Sequence, residues 1–279
     1  MSTDPPAPGT LRVAAVQMVS VPRVDDNLAA AAQLIAEAAA HGAQLVALPE
    51  YFCLMGMADT DKVKVRETFG SGRIQDFLAA QARTHRIWLV GGTLPLEAAE
   101  AERVLNTTLV YDPEGACSAR YDKMHLFRFS RGAESYDEAV TIAPGASVAT
   151  FTVPAAQGPT LKVGLSVCYD LRFPELYRAM GQPDLILVPA AFTATTGRAH
   201  WEVLLRARAI ENLCYVLAPA QGGRHENGRA TYGHSMLVDP WGEVVANRPE
   251  GPGVVLGDVD PQVIARCRAS LPALSHRAL

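Results

Sequence analysis

The sequence predicts an α/β fold, two β-sheets packed face to face with helices covering their outer faces. Three observations carry this reading. Short apolar runs of strand composition recur along the chain, helical patterns separate several of them, and two turns of matching chemistry join neighbouring strands. The near-continuous hydrophobicity of the runs fits strands buried on both sides, as layered α/β structures require.

In order, the runs are residues 11–17, 44–48, 87–91, 106–111, 161–167, 184–188, 215–218, 234–238 and 254–259. After the first, residues 27–41 are alanine-rich and stop at Gly42, a residue suited to ending a helix. Residues 74–85 are amphipathic, and 201–212 set Leu204, Leu205 and Ile210 among Arg206, Arg208 and Glu211. Asp112-Pro113-Glu114-Gly115 and Asp239-Pro240-Trp241-Gly242-Glu243 read as turns between adjacent strands, and their likeness points to an internal duplication.

The chain of 279 residues is ample for a substantial core, and no linker interrupts it. Residues 11–279 therefore read as one domain, and 1–10, with Pro5, Pro6 and Pro8, as a disordered tail. With no signal peptide and no apolar run of membrane-spanning length, a cytoplasmic protein is expected. Five widely spaced cysteines fit a reducing compartment better than a disulfide framework. A net charge of −4 without a basic block argues against nucleic acid or an anionic membrane as partner. No CxxC, HExxH, Walker or GxGxxG pattern occurs, so neither a metal nor an organic cofactor is expected.

The chemistry concentrates where apolar runs end. Residues 161–167 stop at Cys168-Tyr169-Asp170-Leu171-Arg172-Phe173-Pro174-Glu175, placing a thiol between a buried strand and a helix with proline in its first turn. Backbone N–H groups at such a junction can face an oxyanion. Leu48-Pro49 leads to Glu50, and a polar strand beyond the first turn reaches Lys123. Singly, these residues read as a buried hydrophobe, a loop acid and a strand-end charge. Together they can perform acyl transfer through a thioester: the carboxylate takes the thiol proton and the ammonium neutralises the developing oxyanion.

Leu48-Pro49-Glu50-Tyr51-Phe52, Tyr121-Asp122-Lys123-Met124-His125-Leu126-Phe127 and the Cys168 segment resemble the three signature segments of the nitrilase superfamily of carbon–nitrogen hydrolases. The resemblance implies a four-layer α-β-β-α sandwich that dimerises into an eight-layer stack. It also implies Glu50 as general base, Lys123 as electrostatic stabiliser and Cys168 as nucleophile, with the Tyr169 N–H at the oxyanion. A supporting second glutamate falls to Glu138 or, less well placed, Glu134. Residues 197–212 and 232–242 are similar to the Nit-type amidases, nearest the group acting on deaminated glutathione.

The implied reaction is hydrolysis of the amide of a small α-keto acid to the acid and ammonia, by a homodimer with no cofactor. Tyr51, Arg172, Phe192 and Thr193 are candidate substrate contacts, although Arg172 and Glu175 are also expected to brace the turn by pairing. Other outcomes are an ω-amidase acting on 2-oxoglutaramate, a carbamoyl-amide hydrolase, a thiol hydrolase using His200 or His234 as base, and a non-enzymatic scaffold.

Overall fold

In the computed structural model, which describes residues 9–132, 134–155 and 158–278, the first half contains β1 (Leu11–Gln17), α1 (Val24–Ala40), β2 (Leu45–Ala47), α2 (Asp61–Lys64), α3 (Arg73–His85), β3 (Trp88–Val90), β4 (Leu94–Glu97), β5 (Val104–Tyr111) and β6 (Cys117–Asp122). A small hairpin, β7 (Arg128–Arg131) and β8 (Glu134–Asp137), and the two-residue β9 (Ile142–Ala143) follow. The second half runs β10 (Thr150–Pro154), β11 (Thr160–Leu165), α4 (Pro174–Ala179), β12 (Leu185–Leu187), α5 (Ala194–Asn212) and β13 (Tyr215–Ala218). It ends with β14 (Gly222–Arg224), β15 (Ala230–Tyr232), β16 (Ser235–Val238), β17 (Val244–Arg248), β18 (Gly253–Val259) and α6 (Pro261–Ser270). Residues 1–8 of the expected tail lie outside the described residues, whereas Thr10 is buried.

Two sheets repeat one strand order. In the first, β1, β2 and β3 are parallel, with β18 antiparallel on one side and β5 then β6 antiparallel on the other. In the second, β11, β12 and β13 are parallel, flanked by antiparallel β10 and by β16 then β17. The two matching turns join the matching strands β5–β6 and β16–β17. Asp112 Oδ1 accepts from the Glu114 and Ala116 N–H groups, and Asp239 Oδ1 accepts likewise from Trp241 and Glu243.

Side-chain alternation sorts the layers. From β1, Val13 and Ala15 pack with Val163, Leu165, Leu185 and Leu187 of the opposite sheet, while Ala14 and Val16 pack with Ala31, Ile35 and Leu78 of α1 and α3. Trp201, Leu205 and Ala209 of α5 and Leu176 and Tyr177 of α4 join the core of the second sheet. The result is helix, sheet, sheet, helix, which explains why both faces of the strands are apolar.

Two helices start earlier than their periodicity indicates. Asn27 lies inside α1 rather than opening it, because its side chain holds Val21 N–H, Val21 O and Cys53 O at 2.7–2.9 Å. For α5, Thr193 is the N-cap, accepting from Thr196 N–H at 3.2 Å, so the helix includes the poor formers Thr195, Thr196 and Gly197. Gly197 is needed where the helix meets Tyr232, since a Cβ would lie 2.3 Å from that side chain.

Candidate active site

Glu50 follows β2 and Cys168 follows β11, both at carboxyl ends of parallel strands where such folds gather functional groups. Lys123 follows β6, its carbonyl accepting from Gly145 N–H. Glu138 opens a 3₁₀ turn after the β7–β8 hairpin. These four sequence-distant residues meet in one buried cluster.

Lys123 is its hub. The ammonium, fully buried, donates to Glu50 Oε1 at 2.9 Å and to Glu138 Oε1 and Oε2 at 3.0 and 2.7 Å. Burial opposes its charge, but Glu138 and Glu50 outweigh burial and raise its pKa above the usual 10.5. Burial likewise acts to raise the Glu138 carboxyl, yet Lys123 and the hydrogen bonds from Phe127 N–H and Tyr51 Oη, both 2.7 Å, hold it below its usual 4.5. Glu50 is fixed from three sides: besides Lys123, Asn106 Nδ2 donates to Oε1 at 3.0 Å and Ala191 N–H to Oε2 at 2.9 Å.

Cys168 sits at φ +51° and Tyr51 at +57°, left-handed conformations that cost about 1–3 kcal/mol for a non-glycine residue and cluster at functional sites. The Cys168 N–H is bound by Pro189 O at 2.9 Å. Asp170 secures the turn: it accepts from Val167 N–H (2.8 Å), Tyr121 Oη (2.7 Å) and His125 N–H (3.1 Å), tying the Lys123 segment to the cysteine segment. Burial first, then Glu50, pushes the thiol well above its usual 9.0, with Lys123 opposing. The resting sulfur is therefore a thiol that needs a base, and Glu50 is the charge acting on it most strongly.

A narrow slot exposes Cys168, lined also by Tyr169, Arg172, Phe192, Thr193 and Arg229. It adjoins an outer cavity of about 350 Å³, with Phe127, Glu138 and Arg229 common to both and Tyr51, Lys62, Tyr136 and Asn227 on its walls. Arg172 corrects an expectation: no ion pair joins it to Glu175 among the described residues, and its guanidinium lies over the Tyr169 and Phe192 rings, 3.3 Å from His200 Nδ1. Phe192 also packs on Trp201, and the Thr193 hydroxyl is committed to the α5 cap. Glu134 accepts from Thr195 Oγ1 and is not joined to Lys123.

Asn106 and Arg229 escaped the sequence reading. Asn106 is signalled only as a polar residue at the start of an apolar run, and Arg229 by nothing local. Among the described residues, no group of three or more His, Cys, Asp or Glu is placed to hold a metal ion, and no helix is long and apolar enough to cross a membrane.

Comparison with known proteins identifies the family. Residues 12–269 match the carbon–nitrogen hydrolase family. A Synechocystis sp. protein named deaminated glutathione amidase is 41% identical over 268 residues, covering 95% of this chain and 97% of its own. The Homo sapiens protein of that name is 40% identical over 271 residues, covering 95% of this chain and 81% of its own. The crystal structure of Saccharomyces cerevisiae Nit3, described as a member of branch 10 of the nitrilase superfamily, is 31% identical with a TM-score of 0.85 over 97% of each chain. The chain belongs to the carbon–nitrogen hydrolase family, within the nitrilase superfamily, and is a hydrolase acting on carbon–nitrogen bonds other than peptide bonds.

Proposed function

We propose that this amidase hydrolyses the amide of a small α-keto acid, with deaminated glutathione the substrate that fits best, through a thioester on Cys168. One observation carries the mechanism: Lys123, 2.9 Å from buried Glu50, shares a cluster with the Cys168 thiol, whose pKa burial and Glu50 push up. Glu50 takes the thiol proton as Sγ attacks the carbonyl carbon, and Lys123 and the Tyr169 N–H face the oxyanion. The tetrahedral adduct collapses, the C–N bond breaks, and Glu50 returns the proton to the departing amine. Water then attacks the thioester with Glu50 again as base, releasing the carboxylic acid and the free thiol.

The leaving group departs from the ammonia expected from sequence. In deaminated glutathione the scissile amide nitrogen carries the cysteinylglycine portion, so that dipeptide leaves; ammonia would leave only from a primary amide such as 2-oxoglutaramate. The outer cavity of about 350 Å³ beyond the slot favours the bulkier leaving group. A histidine-based mechanism has less support, because His200 lies against Arg172 and the His234 carbonyl is held by Trp201 Nε1 at 2.9 Å, while the charges acting on the thiol are Glu50, Lys123 and Glu138. The homology supports an enzyme over a scaffold. Pairing of two chains across α5, where Val203 and Ile210 are exposed, belongs to the same proposal.

Intact-protein mass spectrometry after rapid acid quench tests the chemistry. The wild-type protein should carry a 2-oxoglutaryl adduct that Cys168→Ala lacks. An adduct, or undiminished turnover, in the variant would refute the nucleophile. Deaminated glutathione should be turned over faster than 2-oxoglutaramate or nitriles, and the reverse order would reassign the substrate.

A further inference from the structure

Arg229 lies where the Cys168 slot opens into the outer cavity and lines both. It stands at the end of the turn between β14 and β15, and this hairpin is firmly held. Asn227 Oδ1 accepts from the Arg229 N–H at 3.0 Å, Asn227 Nδ2 reaches Gly56 O at 2.7 Å, and buried His225 contacts Ser20 O and Thr231 Oγ1 at 2.9 and 2.8 Å. Arg229 Nη2 donates to Ala191 O at 2.9 Å, and the Ala191 N–H is the one bound to Glu50. The guanidinium rests over the Tyr136 ring, 5.1 Å from its centroid. It is therefore held in place one peptide group from the base.

Glu50 acts on it from a distance, but what it lacks is a directly paired anion. Among the described residues no carboxylate lies within ion-pair distance of Arg229, and its Nε is buried without a hydrogen-bond partner. A structural arginine with a buried Nε normally has that donor satisfied, as Arg208 does: its Nε and Nη2 both donate to Leu171 O, and its Nη1 pairs with Glu211. Arg229 is only partly buried, but an idle buried donor on a cation is costly to keep unless something supplies the counter-charge. The neighbouring cluster makes that supply consequential. Glu50, Glu138 and Lys123 together carry a net negative charge, which repels an anionic substrate unless the cations at the slot, Arg229 and Arg172, offset it.

We propose that Arg229 is the specificity-determining residue that anchors a substrate carboxylate, accepting amides that bear one close to the scissile bond. This rests on the α-keto acid amide reading above and deepens it. Planar guanidinium donors match a carboxylate by a charge-assisted, two-point contact that lysine reproduces only as a point charge. Two carboxylates could occupy the position: the one on the acyl side, present in both 2-oxoglutaramate and deaminated glutathione, or the glycine carboxylate, present only in the latter.

The test measures kcat and KM for wild type, Arg229→Met and Arg229→Lys on 2-oxoglutaramate, glutaramate, deaminated glutathione and neutral pentanamide. In Arg229→Met the preference for anionic over neutral amides, as a ratio of kcat/KM, should fall about 30-fold or more, chiefly through KM, with partial recovery in Arg229→Lys. The ratio is read against the neutral amide, so a general weakening of Glu50 through Ala191 does not imitate the effect. Loss of the ratio on 2-oxoglutaramate assigns the acyl-side carboxylate; loss on deaminated glutathione alone assigns the glycine carboxylate. An unchanged ratio, or a wild-type enzyme with no preference for anionic amides, overturns the proposal. Equal turnover of glutaramate and 2-oxoglutaramate, with both losing their ratio in Arg229→Met, would refute the α-keto requirement while Arg229 stands.

Discussion

Replacing Lys123 by methionine removes the ammonium that lies between the buried Glu50 and the largely buried Glu138 carboxylates, and its consequences can be worked out. The nitrogen is 2.9 Å from Glu50 Oε1 and 2.7 Å from Glu138 Oε2. At an effective dielectric near 20, each contact represents about 6 kcal/mol of attraction before desolvation is subtracted. Removing one partner of a buried pair costs about 3–5 kcal/mol net, because the remaining charge stays uncompensated. That is a large share of a stability of roughly 5–15 kcal/mol.

The pH dependence distinguishes this origin from simple loss of packing. Wild-type Glu138 titrates below 4.5, so its contribution is present above that pH and is lost as pH falls through the depressed value. Lys123 titrates above 10.5, so its contribution is present below that pH and is lost as pH rises through the raised value. Neither gives wild type a slope between about pH 5 and 8. In Lys123→Met, burial of Glu138 persists while the opposing ammonium is gone, so its carboxyl moves above 4.5 and the folded state holds a proton more tightly. The variant should then lose stability as pH rises from about 5 to 8. Urea unfolding followed by tryptophan fluorescence at both pH values measures this. A variant whose slope parallels wild type, or whose loss at pH 8 is under about 1 kcal/mol, would refute the electrostatic account.

Glu50→Gln should lower kcat/KM by about 10²–10⁴-fold, the range of a lost general base, and activity within tenfold of wild type would remove Glu50 from that role. Asn106→Leu deletes one of three donors to Glu50 and should reduce kcat about tenfold, measured on the same amide; an effect confined to KM would place Asn106 on the substrate instead. Thr193→Val removes the α5 cap and should cost about 1 kcal/mol of stability by urea unfolding, whereas a raised KM would return Thr193 to the substrate contacts. Alkylation of Cys168 by iodoacetamide should still be accelerating with pH at the usual thiol value of 9.0, and a plateau near neutrality would show a preformed thiolate.

Much of the chemistry was legible because it sits at strand ends. Glu50, Lys123 and Cys168 each follow an apolar or alternating segment whose period reveals the strand, and the three motifs in order pointed to the family. Glu138 was legible only through the family resemblance, and the structure distinguishes it from Glu134 through contacts made by Lys123. The beginning of α5 was not legible, since Thr195, Thr196 and Gly197 are weak helix formers stabilised by a cap and by packing on Tyr232.

The sequence by itself determined the period of each strand, the residues able to carry nucleophilic, basic and cationic roles, and the duplicated turn chemistry, because these depend on side-chain type and local spacing. Only the tertiary structure decided which charges face one another. The Ala191 N–H bound to Glu50, the Asn106 side chain on the same carboxylate and the unpaired Arg229 at the slot come from elements distant in sequence. Their energies depend on desolvation and on separations of a few ångströms, which packing of the two sheets creates and no local pattern encodes.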